Sequence, residues 1–469
     1  MKTKAVPSGW LEFDGRRLDC GPYMSGALEA KVLLERLTVR KDALRDVTDQ
    51  GITGIFNGPR FARSYVDDPA HGVPFLGSTD ILKADLTHLP MLSRKQVAAN
   101  PRFIVRAHWT LITCSGTIGR MAYARSEMDG MAGSQHFMRV VPDPEKIPPG
   151  YLYAYLSSKF GVPLVVGGTY GSIIQQIEPE HIVNLPVPRL SSTLEAKVHS
   201  LAEKAARGLS DYSRLCSRAT DDLLSWVGTT DVLPQRWLDD RRSIGWSEDQ
   251  IGTETFRSMN YDPRAKDLWR IFERANGAPL GSLCQPEYFK GKNIFKRIDA
   301  EPEFGVMLLG QRNAFRFRPE GRWISRTSVE RQGLHVPALT TLIPSHGTLG
   351  EHELYCRALI VTPSMRDFVF SGDFFRCVPD EAKVHPGYLF AFLRSNAAFR
   401  MLRSISIGGK QQEQHPSLMW RLPVPRLSAE REQKIADQIE KAVAAYDDAV
   451  SADKHARALV EEAIEEEAS

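Results

Sequence analysis

The sequence contains an internal repeat. Residues 134–192 and 371–429 align without a gap at an offset of 237 positions. Gly150-Tyr151-Leu152 recurs as Gly387-Tyr388-Leu389, and residues 185–191 carry the same seven amino acids as residues 422–428. Self-similarity at a fixed period is typical of one structural unit used twice. We therefore expect two related units joined in one chain.

Weaker matches extend the repeat over the whole sequence. The offset is 238 around Tyr23, 233 around Gly72 and 231 around Thr110. The changes of offset fall between matched blocks, where surface loops with insertions are expected. The chain thus reads as two copies of about 235 residues with a boundary near residue 230.

Composition sets only broad limits. The chain has 469 residues, 42% of them apolar and 25% charged, and a net charge of +3. That length accommodates two to four domains with proper cores, and the small net charge neither requires nor excludes a polyanionic partner. The six cysteines form no CxxC pair, so we interpret them as reduced, buried thiols of a cytoplasmic protein. We expect neither a signal peptide nor a membrane span.

Each copy shows the same order of predicted elements. A short helical lead precedes a β-rich region, then an aromatic- and Leu-rich helix, a Pro-x-Pro segment and a long polar helix. Proline cannot donate to a strand ladder, so the Pro-x-Pro segment is expected at a sheet edge or in a connection. The predicted bounds are 1–40 and 231–276 for the leads, 41–191 and 277–428 for the two β-rich domains, and 192–230 and 429–469 for the long helices. The fold class is therefore α+β, with tandem β-rich domains and two long helices.

The long helices carry apolar residues at spacings of three and four. Val198, Leu201 and Ala205 begin this stripe in the first copy, and Ile435 and Ile439 begin it in the second. Such a stripe forms the seam of a helix pair, and about 35 residues give a rod of roughly 50 Å. Either the two rods pack against each other as a spacer, or each packs on its own globular domain.

Motifs for chemistry are missing from the sequence. There is no phosphate-binding P-loop, no nucleophile elbow, no HExxH zinc motif and no Asn/Asp-Pro-Pro-aromatic tetrapeptide of adenine methyltransferases. We predict no metal site. A binding role is favoured, although a duplicated protein-binding scaffold and a stand-alone DNA-modifying enzyme remain alternatives.

Basic residues interleaved with aromatic ones suggest a first binding surface. The segment from Lys290 to Arg326 contains nine basic residues and four acidic ones. Arg316 and Arg318 alternate around Phe317, so on a strand both guanidinium groups would share one face. Such a face can contact phosphates or guanine edges, or can simply be solvated. The candidates are Lys290, Lys292, Lys296, Arg312, Arg316, Arg318 and Arg322, with Arg60 and Arg63 in the first copy.

A Gly/Gln-rich loop after the aromatic helix suggests a second surface. Glycine allows close backbone approach to a ligand, and glutamine offers the donor and acceptor that pair with adenine. The alternative is an ordinary turn with amide caps. The candidates are Tyr170, Ser172, Gln175 and Gln176 in the first copy, and Lys410, Gln411 and Gln412 in the second, with His346 as a further candidate.

Two glycines frame a third segment, Gly116-Thr117-Ile118-Gly119, which recurs as Gly347-Thr348-Leu349-Gly350. This spacing suits a tight turn between strands. We interpret it as structural, with Ser115, Thr117 and Arg120 as candidate DNA contacts beside it.

Together these elements resemble the DNA specificity subunit of type I restriction–modification systems or a related phage-defence factor. The resemblance rests on the Gly-Thr-Ile-Gly-like turn, the aromatic helix, the Gly/Gln loop, and Pro-x-Pro followed by a long helix beginning Glu432-Gln433-Lys434. The first copy departs from it, with Glu195-Ala196-Lys197 at that point, and both leads are longer than a minimal member needs.

The resemblance implies two target-recognition domains that each read half of a bipartite double-stranded DNA site, held apart by antiparallel helices. It implies a non-catalytic chain that carries no cofactor. The implied partners are methyltransferase subunits that use S-adenosylmethionine, and in a full complex an ATP-driven nuclease subunit.

Overall fold

The fold is given by a computed structural model that describes residues 3–13, 21–167, 176–240, 254–290 and 293–469. Contacts divide the chain into two compact units, and neither is continuous in sequence. Unit 1 comprises residues 1–83, 89–210 and 448–469, and unit 2 comprises residues 84–88 and 211–447. Each unit therefore contains a stretch of both long helices. The domain bounds drawn from the repeat stay a prediction.

The helices and strands follow the predicted order in each copy. The first copy contains α1 (Trp10–Phe13), α2 (Gly21–Met24), α3 (Ala27–Arg36), α4 (Arg94–Ala98), α5 (Pro149–Leu156), α6 (Gly161–Gly167), α7 (Pro179–Ile182) and α8 (Ser192–Val227). Its strands are β1 (Lys41–Ala43), β2 (Ile55–Asn57), β3 (Tyr65–Val66), β4 (Gly72–Leu76), β5 (Met91–Ser93), β6 (Thr110–Thr113), β7 (Met121–Tyr123), β8 (Ala132–Gly133), β9 (Phe137–Val140) and β10 (Pro186–Pro188).

The second copy is built from a similar series of elements. Its helices are α9 (Pro234–Asp239), α10 (Pro263–Arg274), α11 (Gln311–Ala314), α12 (Arg326–Gln332), α13 (Pro386–Leu393), α14 (Asn396–Ser404), α15 (Pro416–Arg421) and α16 (Ala429–Glu467). Its strands are β11 (Ala278–Pro279), β12 (Gly305–Leu309), β13 (Arg322–Ser325), β14 (Thr341–Pro344), β15 (His346–Gly347), β16 (Leu359–Ile360), β17 (Val369–Phe370), β18 (Phe374–Cys377), β19 (Ser406–Gly408), β20 (Gln412–Gln414) and β21 (Pro423–Val424). The predicted α+β class is confirmed.

Strand pairing shows that the repeat is structural. In unit 1, β6 pairs antiparallel with β9, and Thr110 faces Val140. In unit 2, β14 pairs antiparallel with β18, and Thr341 faces Cys377. These residues correspond at the offsets of 231 and 237 found in the sequence. The parallel pairs β4–β8 and β12–β17 correspond in the same way. Because a slip of one residue would reverse every side chain, matched register means matched side-chain directions.

The Pro-x-Pro segments lie at sheet edges, as predicted. Within the described residues, β10 and β1 form a two-stranded sheet, as do β21 and β11. The buried hydroxyl of Tyr151 donates to the carbonyl of Pro188 at 2.5 Å, and Tyr388 donates to Pro425 at 2.6 Å. The repeated Gly-Tyr-Leu motif is thereby explained in part, since its tyrosine fastens the edge strand to the helix.

The glycine of the same motif allows close helix contact. A Cβ atom at Gly150 would lie 2.8 Å from the Cβ of Ala202 on α8. A Cβ atom at Gly387 would lie 3.0 Å from the carbonyl oxygen of Ala436 on α16. The first distance is shorter than Cβ contacts allow, and the second would require the backbone of α16 to move, so glycine is favoured where the aromatic helix crosses the long helix.

The long helices contact each other within each unit. In unit 2, Asp222 accepts a hydrogen bond from Gln438 at 2.8 Å, and the rings of Tyr212 and Tyr446 lie 5.3 Å apart. Residue numbers rise along one helix as they fall along the other, so these segments run antiparallel. In unit 1, residues of α8 and α16 share one apolar core with the aromatic helix α5. Both sequence alternatives therefore hold: the helices pair, and each packs on globular structure.

Five cysteines are free and buried: Cys114, Cys216, Cys284, Cys356 and Cys377. Cys20 lies outside the described residues. Over the described part of the chain, every helix is too short or too polar to cross a membrane.

An ion pair between a buried arginine and a partly buried aspartate stabilises unit 2. Arg394 is 5% exposed and donates to the Asp85 carboxylate at 2.8 Å. It also donates to Thr220 on α8. Burial alone would raise the pKa of Asp85, but Arg394 and His88 oppose it, and the pKa lies well below its usual range. The ionised form of Asp85 therefore stabilises the folded unit.

We predict that Arg394→Met destabilises the protein by about 2 kcal/mol, because it leaves the partly buried Asp85 carboxylate without its cation. The wild type should lose the ion-pair contribution as the pH falls below about 4, where the unfolded carboxyl takes up a proton. The variant should lose less stability over that range. Urea unfolding followed by fluorescence at several pH values measures both effects. Arg366→Met, at an exposed arginine, is the matched control and should change stability by less than about 0.5 kcal/mol.

Candidate nucleic-acid interface

At one edge of unit 1, three residues from distant parts of the sequence converge. The Cys114 amide donates to the His136 carbonyl at 3.0 Å, which continues the β6–β9 ladder beyond its last strand pair. Ser115 Oγ then lies 2.7 Å from His136 Nδ1. The backbone of Gln176 pairs with that of Ser115 in an isolated antiparallel β-bridge. We call Ser115, His136 and Gln176 the unit 1 edge.

Two arginines place positive charge beside this edge. Arg60 and Arg63 are exposed. Burial lowers the pKa of His136, and the charges of Arg63 and Arg60 lower it further. The Arg63 guanidinium lies 5.2 Å from the centre of the Phe75 ring, and that of Arg102 lies 4.8 Å from the Phe56 ring. Cation–π contacts thus stabilise the guanidinium groups of Arg63 and Arg102.

Unit 2 has an edge at the corresponding position. The Ser345 amide donates to the Asp373 carbonyl at 2.8 Å, the counterpart of the Cys114–His136 bond. His346 on β15 faces Glu413 on β20, and its Nε2 lies 3.0 Å from Glu413 Oε1. His346 Nδ1 lies 3.9 Å from Asp373 Oδ1. We call His346, Asp373 and Glu413 the unit 2 edge.

The two surfaces predicted from sequence meet beside the unit 2 edge. The Asn293 amide donates to the Gly372 carbonyl at 3.2 Å, and its side chain contacts the carbonyls of Lys290 and Phe374. The start of the basic segment therefore lies next to Asp373. Lys410 and Gln411 are exposed in the β19–β20 turn, on the hairpin that carries Glu413. Arg312 is also exposed. It follows Gln311, whose side-chain amide donates to the Asp373 carbonyl.

Buried arginines hold the loops that present both edges. Arg139 on β9 donates to the carbonyls of Ser134 and Phe137, on either side of His136. Arg376, its repeat counterpart on β18, donates to the Phe370 carbonyl ahead of Asp373. Burial lowers the pKa of Arg139 to about 9. These cations fix backbone and are not available to a ligand.

The predicted basic strand around Arg316 is wrong. Residue 315 is in a turn, 316 is in an isolated β-bridge, and 317 and 318 are in bends. Arg316 is buried, with Glu320 at 3.7 Å. The half-buried Phe317 packs edge-on against Tyr446 at 6.0 Å. Because these residues form no extended strand and the Arg316 side chain is buried, Arg316 and Arg318 do not form a two-arginine strand face.

Two other members of the basic segment lie away from the edge contacts. Arg322 is on β13 and forms an exposed ion pair with Asp299. Lys296 is exposed, and its backbone is bonded to Gln332. Both stay predicted contacts with phosphate.

In unit 2, the exposed candidate on strand β20 is Glu413 and not the predicted Gln412. Gln412 is 4% exposed, and its amide donates to the Gly409 carbonyl, which closes the hairpin. It cannot present that amide to a ligand. Adjacent residues of a strand point to opposite faces, so Glu413 is the neighbour on the other face. The residues Tyr170, Ser172, Gln175 and Lys292 lie outside the described residues.

The glycine turn of unit 1 is structural, as interpreted. Gly119 has a φ of 73°, and a Cβ atom there would collide with Val166 on α6. Thr113 Oγ1 accepts from the Arg120 amide and donates to the Thr117 carbonyl. The Thr117 side chain is exposed and stays a candidate contact.

The counterpart in unit 2 is a longer loop instead of a tight turn. Arg403 on α14 donates to the carbonyls of Leu349 and Gly350 at 2.7 and 2.8 Å. Arg400 pairs with Glu351. The offset changes from 231 to 237 across this loop, so the insertion lies beside the edge and is held by arginines.

Sequence reasoning missed His136, Asp373 and Glu413. The ungapped alignment of the two copies places His136 opposite Asp373 and Gln176 opposite Glu413. A polar residue that changes chemistry inside an otherwise matched block was the available signal. Among the described residues, no His, Cys, Asp and Glu side chains are placed to hold a metal ion.

We predict that the double variant Arg60→Ala, Arg63→Ala raises the pKa of His136, because removal of two nearby cations makes its protonated form less costly. NMR titration of histidine ring carbons, with His136→Gln to assign the signal, measures the change. Arg36→Ala, an exposed arginine on α3, should leave that pKa unchanged. An unaltered pKa in the double variant would show that the arginines do not act on this edge.

Comparison with known proteins gives a match in structure but not in sequence. No protein-family model matches the chain, and no curated protein matches it. Among solved structures, the type I restriction–modification S subunit from M. genitalium has 11% identity and a TM-score of 0.31, with 91% of this chain and 96% of that chain covered.

Two further solved structures give similar values. The HsdS subunit from Thermoanaerobacter tengcongensis has 12% identity, a TM-score of 0.28, and coverage of 91% and 96%. A chain from a study of assembly and conformational transition of the type I R-M system has 14% identity, a TM-score of 0.27, and coverage of 91% and 97%. The identities and TM-scores of all three are low. Two of the solved structures that are similar to this chain over most of its length are thus described as S subunits, one of them of a type I restriction–modification system.

Proposed function

We propose that this chain is the DNA specificity subunit of a methyltransferase complex, and that each unit reads one half of a bipartite double-stranded DNA site. The observation that carries the proposal is the duplicated edge. The same backbone bonds, Cys114 to His136 and Ser345 to Asp373, present different side chains in the two units. Two units that recognise different half-sites need the same backbone arrangement with different polar side chains on it.

Charge beside the edges supports DNA as the ligand. Arg60 and Arg63 border one edge, and Lys290, Lys410 and Arg312 lie near the other, all of them exposed. Exposed cations contact phosphates and position the protein, and arginine and other polar side chains that reach a groove read the bases. Two linked readers gain affinity because binding of the second becomes intramolecular.

The sequence resemblance supports the partners. We infer that the chain itself catalyses nothing and directs an adenine methyltransferase that uses S-adenosylmethionine. A restriction or other defence nuclease with ATP is the further partner in a full complex. Restriction–modification or phage defence in the cytoplasm is the setting of this activity.

Methylation sequencing tests the proposal. We predict that a host with this gene and its methyltransferase shows methylated adenines in one asymmetric motif of two short halves separated by a fixed gap. Deletion of the gene should remove that methylation entirely. A protein-binding scaffold predicts no motif, and a stand-alone enzyme predicts methylation or cleavage by the purified chain without partners.

Salt dependence tests the role of the cations. Each phosphate contact releases counterions, so log affinity falls with log salt by about 0.9 per contact on duplex DNA. We predict that Lys290→Ala and Lys410→Ala each weaken binding of the complex to its site and reduce this slope by about one. Lys383→Ala, an exposed lysine paired with Asp380 in the same unit, is the control and should leave the slope unchanged. Equal slopes in all proteins would remove these lysines from the DNA surface.

A further inference from the structure

We infer that the two units read opposite hydrogen-bonding groups: Arg60 and Arg63 beside the unit 1 edge donate to acceptors of guanine, and the unit 2 edge accepts from an exocyclic amino group of cytosine or adenine. This inference rests on the proposed function and adds the chemistry of each half-site. It comes from comparison of the two units at equivalent backbone positions.

Equivalence is fixed by the backbone. The unit 1 residues Ser115, His136 and Gln176 correspond to the unit 2 residues His346, Asp373 and Glu413. Side chains at matched register leave the sheet in the same direction. Where these side chains differ in chemistry, the two edges can therefore bind different chemical groups at the same position of an equivalent backbone.

Unit 1 presents donors. Arg60 and Arg63 are exposed and act on His136 through their charge. The planar guanidinium group carries five N–H donors and no acceptor, and it fits O6 and N7 of guanine in the major groove. At the equivalent positions, unit 2 has Asn293 and Lys296.

Unit 2 presents acceptors. The Asp373 and Glu413 side chains are 52% and 47% exposed, with His346, 12% exposed, between them. An ionised carboxylate only accepts hydrogen bonds, and His346 occupies one of the acceptor positions of Glu413. Carboxylates that face a polyanion weaken binding unless a donor meets them. In the major groove, the donors are N4 of cytosine and N6 of adenine.

The test combines protein variants with base analogues. The wild-type complex is first used to select its motif from a random duplex library. Glu413→Gln keeps the size and the bond to His346 but removes the charge. We expect it to lower the preference for one amino-bearing base, in one half-site only, by about tenfold. Asp373→Asn is the second variant in case Glu413→Gln fails to fold.

Analogues identify the group that is read. Wild type should bind about tenfold more weakly to a duplex in which that base lacks its amino group, with 2-pyrimidinone in place of cytosine or purine in place of adenine. Glu413→Gln should be insensitive to the same analogue, since the contact is already lost. For unit 1, 7-deazaguanine in the other half-site should weaken wild type and leave Arg63→Gln unaffected. Glu330→Gln, an exposed carboxylate on α12, should behave as wild type.

The possible outcomes distinguish failure of the proposed function from failure of this inference. If wild type selects no motif, the proposed function fails. If wild type selects a motif but the variant and analogue effects simply add, or if Glu413→Gln weakens all sequences equally, the function stands and this inference is overturned.

Discussion

The junction between edge strand and long helix is the constraint on which each unit depends. In unit 1, Tyr151 bonds to the Pro188 carbonyl, and Arg189 binds Glu195 through two hydrogen bonds. The second copy repeats both interactions at an offset of 237, with Arg426 and Glu432 in the ion pair. Because the glutamate lies in the first turn of the helix, this clamp sets where the helix starts relative to the sheet. Bidentate arginine–carboxylate pairs add geometric precision as well as energy.

A fixed junction lets the rest of each unit keep its register while its surface varies. The central strand pairs match residue for residue, yet one edge carries Ser115 and His136 and the other His346 and Asp373. The buried arginines of β9 and β18 bond to backbone, so the loops ahead of the edges are held independently of their exposed side chains. Variation at the edges therefore costs the fold little, which suits a protein whose ligand differs between its halves.

Much of the fold could be predicted, and much of the site could not. Helical spacing predicted α8 and α16, and proline chemistry placed β10 and β21 at edges, because these are local effects. Alternation around Phe317 wrongly predicted a strand, since Arg316 is buried and the ring packs against Tyr446, which lies more than a hundred positions away. Gln412 looked available for the same reason: a sequence shows residue type but not which face of a hairpin is buried.

The sequence alone determined that one unit is used twice, in what order its elements come, and where the copies differ in length. Those properties follow from the repeat, from periodicity and from the fixed backbone preferences of glycine and proline. Only tertiary structure decided which distant residues share an edge, since strand pairing brings Ser115 to Gln176 and His346 to Glu413 across some sixty residues. Long-range register depends on packing of the whole core, and it is this register that turns scattered polar residues into two comparable surfaces.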